Sequence, residues 1–111
     1  MNVSVTETTN AVIVKVEIEQ MLGYSGTEFQ EAVMNSIKSD KKCTIVDLSK
    51  VTFISSWGLG MLMSGLTTSQ NNGKVLYIAC CSEKIRSSFS KTKLDTVFKF
   101  YDTVDEATDA I

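Results

Sequence analysis

Few residues in this sequence can carry chemistry, and their spacing limits what each can do. Two adjacent serines, Ser55 and Ser56, stand just ahead of Gly58-Leu59-Gly60 and an apolar run of helical period. A hydroxyl at that place can cap the helix. It can also tolerate an added phosphate, because the first backbone N–H groups of a helix are unpaired and its dipole end is positive. The chain has no histidine, so no serine or cysteine has an imidazole base beside it and imidazole metal ligation is excluded. Cys43, Cys80 and Cys81 lie in apolar runs, and an odd count with two adjacent members fits neither a disulfide framework nor a spaced zinc site. They read as small core residues; a thiol enzyme would need an exposed, low-pKa thiolate at Cys80 or Cys81. Asp95, Asp102, Asp105 and Glu106 read as capping and dipole-favoured charges rather than metal ligands. Gly58 and Gly60 do not suggest a nucleotide cradle, since no basic residue occurs from Val51 to Gln70. No catalytic residue, metal or cofactor is expected.

The elements that position these residues must fit in one domain, residues 1–111, because 111 residues is the size of one. Eleven Lys and Arg against 13 Asp and Glu give a net charge of −2, and 43% hydrophobic with 22% charged residues is ordinary globular composition. No Lys/Arg stripe with interleaved aromatics appears, so nucleic acid is not expected as a partner. The apolar runs are far shorter than the ~20 residues a membrane-spanning helix needs, so no direct membrane insertion is expected. The first residues lack a basic stretch followed by an apolar one, which points to the cytoplasm.

Ala11 to Glu19 alternates, with Val12, Val14, Val16 and Ile18 on one face and Lys15, Glu17 and Glu19 on the other, the pattern of a half-exposed strand. Val3 and Val5 precede it as an antiparallel partner. Ser25 and Glu28 have capping-box spacing for a helix whose buried stripe is Phe29, Ala32, Val33 and Ile37. Cys43 to Leu48 and Val75 to Cys81 are continuous apolar runs, the pattern of strands covered on both faces. The helix between them, Trp57 to Asn71, ends at Asn71-Asn72-Gly73. Strand, helix and buried strand make a parallel crossover unit. A helix with Ile85 and Phe89, a short strand at Lys99 to Tyr101, and a last stripe of Val104, Ala107 and Ile111 complete a small α/β sandwich. Its sheet should be mixed but mostly parallel, with helices packed on it.

From Asp47 to Gly60 the chain reads Asp-Leu-Ser-Lys-Val-Thr-Phe-Ile-Ser-Ser-Trp-Gly-Leu-Gly. This stretch resembles the central signature of STAS domains, the fold of bacterial anti-anti-sigma factors, in which Asp-Leu-Ser is followed by Asp-Ser, a small residue and Gly-Leu-Gly. Asn72-Gly73-Lys74, Leu94-Asp95 through Phe98, and Tyr101 to Ala107 are similar to the family's later segments. The resemblance implies that Ser56, aligned on Gly58-Leu59-Gly60, occupies the regulatory phosphorylation site, with Ser55 the less favoured neighbour. It also implies a partner: an anti-sigma factor that is a serine protein kinase of the ATP-binding, histidine-kinase-like type. Two residues depart from the pattern. Ser55 replaces the aspartate, and Trp57 replaces the small residue, which changes the size and polarity of the docking surface.

Helical spacing puts Leu59, Leu62, Met63 and Leu66 on the core face and Trp57, Met61, Ser64 and Thr68 on the opposite one. Large aromatic and methionine side chains there are typical interface anchors. The expected partner surface is therefore Ser55, Ser56, Trp57, Gly58, Met61 and Ser64. Asp47, at the carboxyl end of a buried strand, is expected to hold the Ser55-Ser56 loop by accepting backbone N–H bonds. A STAS adaptor in a signalling or transport assembly, without phosphorylation, is the alternative reading.

Overall fold

The computed structural model describes residues 3–22 and 26–111. The elements in chain order are β1 (Val3–Glu7), β2 (Ala11–Val16), β3 (Gln20–Met21), α1 (Gly26–Lys38), β4 (Cys43–Asp47), β5 (Phe53–Ile54), α2 (Ser56–Asn71), β6 (Val75–Ala79), α3 (Glu83–Lys91), β7 (Lys99–Tyr101) and α4 (Val104–Asp109). Five strands form one sheet in the order β1-β2-β4-β6-β7, and β3 and β5 form a separate two-stranded ladder. β1 runs antiparallel to β2, with Val3 opposite Val16 and Glu7 opposite Val12. The other pairs of the main sheet are parallel. The mixed, mostly parallel sandwich is therefore present.

Strand alternation divides the core. Val12, Val14 and Val16 of β2, Val46 of β4 and Leu76 and Ile78 of β6 face one way, where they meet Phe29, Val33 and Ile37 of α1, Leu59, Leu62 and Leu66 of α2 and Ile85 and Phe89 of α3. Ala11, Cys43, Ile45 and Ala79 face the other way and meet Ala107 of the short α4. Double coverage explains why every residue of β4 is buried.

The strand expected over Ala11 to Glu19 is shorter than its alternation suggests. β2 stops at Val16, because the Glu19 carbonyl turns aside to accept the N–H groups of Thr52 (2.7 Å) and Phe53 (3.1 Å), opening the β3–β5 ladder. β6 also stops early, at Ala79. Cys80 adopts a left-handed φ of 63° while its N–H bonds to the Tyr101 carbonyl. The expected Ser25 cap of α1 lies outside the described residues. At the far end of α2, Gly73 takes φ +71°, its N–H reaches the Gln70 carbonyl, and the Lys74 N–H reaches the Ser69 carbonyl. That is the Schellman pattern the Asn-Asn-Gly sequence announces.

One face assignment on α2 is corrected. Met61, expected on the outer side, is only 6% exposed, while Met63, expected in the core, is half-buried. The reason is that α2 packs on two neighbours, the sheet and α1. Gly65 allows this, since a Cβ there would already lie 3.4 Å from both Leu76 and Val33. The buried arc of α2 is thus wide enough to include Met61.

Candidate functional site

The start of α2 is held by the β3–β5 ladder. The Ser55 N–H bonds to the Met21 carbonyl (3.1 Å), and the Ser55 hydroxyl donates to the same oxygen (3.3 Å) while accepting the Gly58 N–H (3.1 Å). The Ser55 carbonyl accepts the Leu59 N–H, the first full turn of the helix. Ser55 is therefore the N-cap, in extended conformation, and is half-buried. Gly58 is fixed by close approach rather than by flexibility. A Cβ there would come within 2.6 Å of the Met21 carbonyl and 2.7 Å of Ile54. It is buried, so it shapes the helix start and offers a partner no surface of its own.

Ser56 is the first helical residue, and it is exposed. Among the described residues, the backbone N–H groups of Ser56 and Trp57 have no acceptor. No acidic side chain lies in the first turn of α2, and none of its 16 residues carries a charge. The positive end of this helix dipole is thus uncompensated beside a free hydroxyl. Trp57 follows with 74% of its surface exposed.

Two linked depressions extend from Ser56 along the α1–α2 seam. One, about 450 Å³, is lined by Gln30, Ser56, Trp57, Gly60 and Met61. The next, about 220 Å³, continues over Phe29, Met34, Met61, Ser64 and Thr68. Met61 is the floor shared by both, and Ser64 lies exposed on the rim of the second. The expected residues Ser56, Trp57, Met61 and Ser64 are thus brought together, with Met61 beneath the surface rather than on it. Gln30 and Met34 of α1 were not anticipated. Their helix showed in the sequence, but nothing there fixed its rotation against α2.

Asp47 does not support this loop. The residue is 8% exposed, and its carboxylate accepts the Ser49 N–H (2.9 Å), bracing the turn after β4. Alternation along β4 places it with Cys43 and Ile45 on the α4 side of the sheet, whereas α2 covers the other side. The expectation that it holds Ser55-Ser56 is therefore corrected.

The thiols are held in the neutral form. Burial pushes Cys43 up to about 12. Burial also raises Cys80, with the Asp47 charge adding to it, and raises Cys81 despite the opposing pull of Arg86. A thiolate nucleophile is disfavoured at all three. The acidic residues near the chain end act locally: Thr103 caps α4 by accepting the Glu106 N–H (3.0 Å), and Asp95 accepts the Ser90 hydroxyl. Among the described residues, no three Cys, Asp or Glu side chains converge to hold a metal, and no helix is long and apolar enough to cross a membrane.

Known proteins share this fold. The sequence profile of the STAS domain matches residues 2–107. A candidate anti-sigma factor antagonist from Thermotoga maritima is 33% identical over 64 residues, an alignment spanning 58% of this chain and 57% of that protein's length. The crystal structure of a Thermotoga maritima protein of the same description superposes with a TM-score of 0.84 at 23% identity, covering 98% of this chain and 93% of that one. The Bacillus cell fate determinant SpoIIAA in its phosphorylated form gives a TM-score of 0.74 at 14% identity, with 97% of each chain covered. At these identities the two solved structures speak for the fold alone.

Proposed function

The chain belongs to the STAS domain family, and from that premise we propose that it is an anti-sigma factor antagonist switched at Ser56. In this reading it works in the cytoplasm and binds an anti-sigma factor that is itself an ATP-dependent serine kinase. Contact is made through Ser56, Trp57 and the α1–α2 seam, and the complex frees the sigma factor. The kinase transfers the γ-phosphoryl group of ATP to the Ser56 oxygen, the hydroxyl proton is released, and ADP leaves. All ATP chemistry belongs to the partner.

The observation that carries the reading is the division of labour between the two serines. Ser55 has both hydroxyl roles filled by backbone, while Ser56 stands exposed beside unpaired N–H groups. A phosphate of charge about −1.5 to −2 is tolerated at a helix start, so the fold persists while the docking surface becomes anionic. Desolvating that charge against the partner then weakens the complex. The replaced aspartate fits this reading too, since Ser55 supplies the helix cap that a carboxylate would have supplied.

The test is incubation with purified serine-kinase anti-sigma factors of the same organism and ATP, followed by mass spectrometry. The expected result is one phosphate on Ser56, lost in Ser56→Ala and retained in Ser55→Ala.

A second reading, the unphosphorylated adaptor, draws on Trp57. An exposed tryptophan directly after the serine is an anchor suited to a lasting contact. Binding that is indifferent to Ser56→Asp supports the adaptor.

A further inference from the structure

The two edges of the main sheet are unlike each other. β7 is three residues long and begins with the exposed Lys99, a charge that discourages strand addition. β1 at the other edge reads Val-Ser-Val-Thr-Glu, with no lysine, proline or glycine to block pairing, and only its first residue is buried. Val5, 54% exposed, is the large apolar side chain left open on this strand. It borders a groove of about 410 Å³ between β1 and α1, lined by Val5, Val12, Ala32, Asn35 and Ser36 among others.

We propose that β1 pairs antiparallel with β1 of a second copy of this chain, about a two-fold axis at Val5, joining two five-stranded sheets into one of ten strands. The sequence of the strand is self-complementary under that rotation. Only an axis at Val5 uses all five residues of both strands. It sets Val5 against Val5 of the second copy, Ser4 against Thr6 twice, and Val3 against Glu7 twice. The Val5 pair covers the exposed apolar side chain, the Thr6 hydroxyl of one copy faces the Ser4 oxygen of the other, whose own proton goes to Glu17 (3.1 Å), and no two like charges oppose one another. Backbone N–H and C=O groups at the edge gain partners without any change in fold. A slip of one residue would send Val5 to the opposite face, so the groove helps to fix the register.

The α1 residues beside the strand are small or uncharged and do not oppose the pairing. Ala32, Asn35 and Ser36 lie above Val5, so the same rotation sets the two α1 helices antiparallel about this point. The Ser56 surface uses a different stripe of α1, Gln30 and Met34, so the dimer leaves that surface open and does not depend on its function.

Analytical ultracentrifugation of the full chain across micromolar to submillimolar concentrations tests the pairing. The expected result is a shift toward twice the monomer mass as concentration rises, abolished by Val5→Lys, which sets two ammonium groups against each other at the axis. Oxidative cross-linking tests the register: Val5→Cys should yield a disulfide-linked dimer well above the wild-type background, and Thr6→Cys should not. Three results would overturn the proposal: a monomer at every concentration, cross-linking of Thr6→Cys as efficient as that of Val5→Cys, or a dimer that survives Val5→Lys. If the surviving dimer is instead lost in Trp57→Ala, the self-contact lies on the α2 surface.

Discussion

The Ser55 hydroxyl donates to the Met21 carbonyl at 3.3 Å, tying the first turn of α2 to a two-residue strand 34 positions earlier in the chain. The same oxygen accepts the Gly58 N–H, so one side chain both starts the helix and anchors it to β3.

Removing that hydroxyl should cost more than removing its neighbour's. Ser55→Ala loses a cap and leaves the Gly58 N–H half-buried without a partner, a loss of about 1–2 kcal/mol. Ser56→Ala removes an exposed hydroxyl with no partner among the described residues, so it should fall within about 0.5 kcal/mol of wild type. Urea denaturation of the two variants measures the difference.

The two glycines of the helix start should respond in opposite directions. Gly58→Ala forces a Cβ to within 2.6 Å of the Met21 carbonyl and should destabilise by about 1–3 kcal/mol. Gly60→Ala meets no atom within 4 Å, and replacing a helical glycine by alanine should stabilise by up to about 1 kcal/mol. Thermal unfolding of each variant reads the sign directly. Because Gly60 lines the depression beside Trp57, the same variant should weaken partner binding while gaining stability.

Trp57 is the single tryptophan, so intrinsic fluorescence reports on this surface alone. The free protein should emit as a solvated indole. Complex formation with an anti-sigma factor should shift that emission to the blue. Trp57→Ala should leave stability within about 0.5 kcal/mol, as an exposed substitution does, while weakening the complex.

Cys43 links stability to alkaline pH. Burial raises its thiol from an ordinary 9.0 to about 12, so the folded chain holds a proton that the unfolded chain releases. The stabilisation is fully present below about 9 and is lost as pH rises from there to about 12. Cys43→Ala should make this part of the stability–pH curve shallower, with the raised Cys80, Cys81 and Tyr77 supplying the remaining slope, as measured by urea titrations at stepped pH.

Much of this molecule is legible in its residues, and the illegible parts have physical reasons. β7 falls on Lys99–Tyr101 as expected, and the Asn-Asn-Gly stop of α2 is where backbone chemistry puts it. Ser56 and Trp57 are exposed beside each other because the start of α2 can be placed from one motif. The β3–β5 ladder left no periodic trace, since two-residue strands are too short to show alternation. Met61 was misplaced because a single helix has one apolar stripe in isolation but two when a second helix packs beside it, and Gly65 was the only sign of that approach. Asp47 was misassigned because nearness in sequence to the serines says nothing of which sheet face a strand residue occupies.

Phosphorylation at Ser56 is the central claim, and one measurement bears on it most directly. The wild-type chain and the Ser56→Asp variant are titrated by calorimetry against a purified serine-kinase anti-sigma factor of the same organism. The account predicts that wild type binds, that Ser56→Asp binds at least tenfold more weakly, and that the two unfold at the same temperature. Equal affinity for wild type and Ser56→Asp would contradict it.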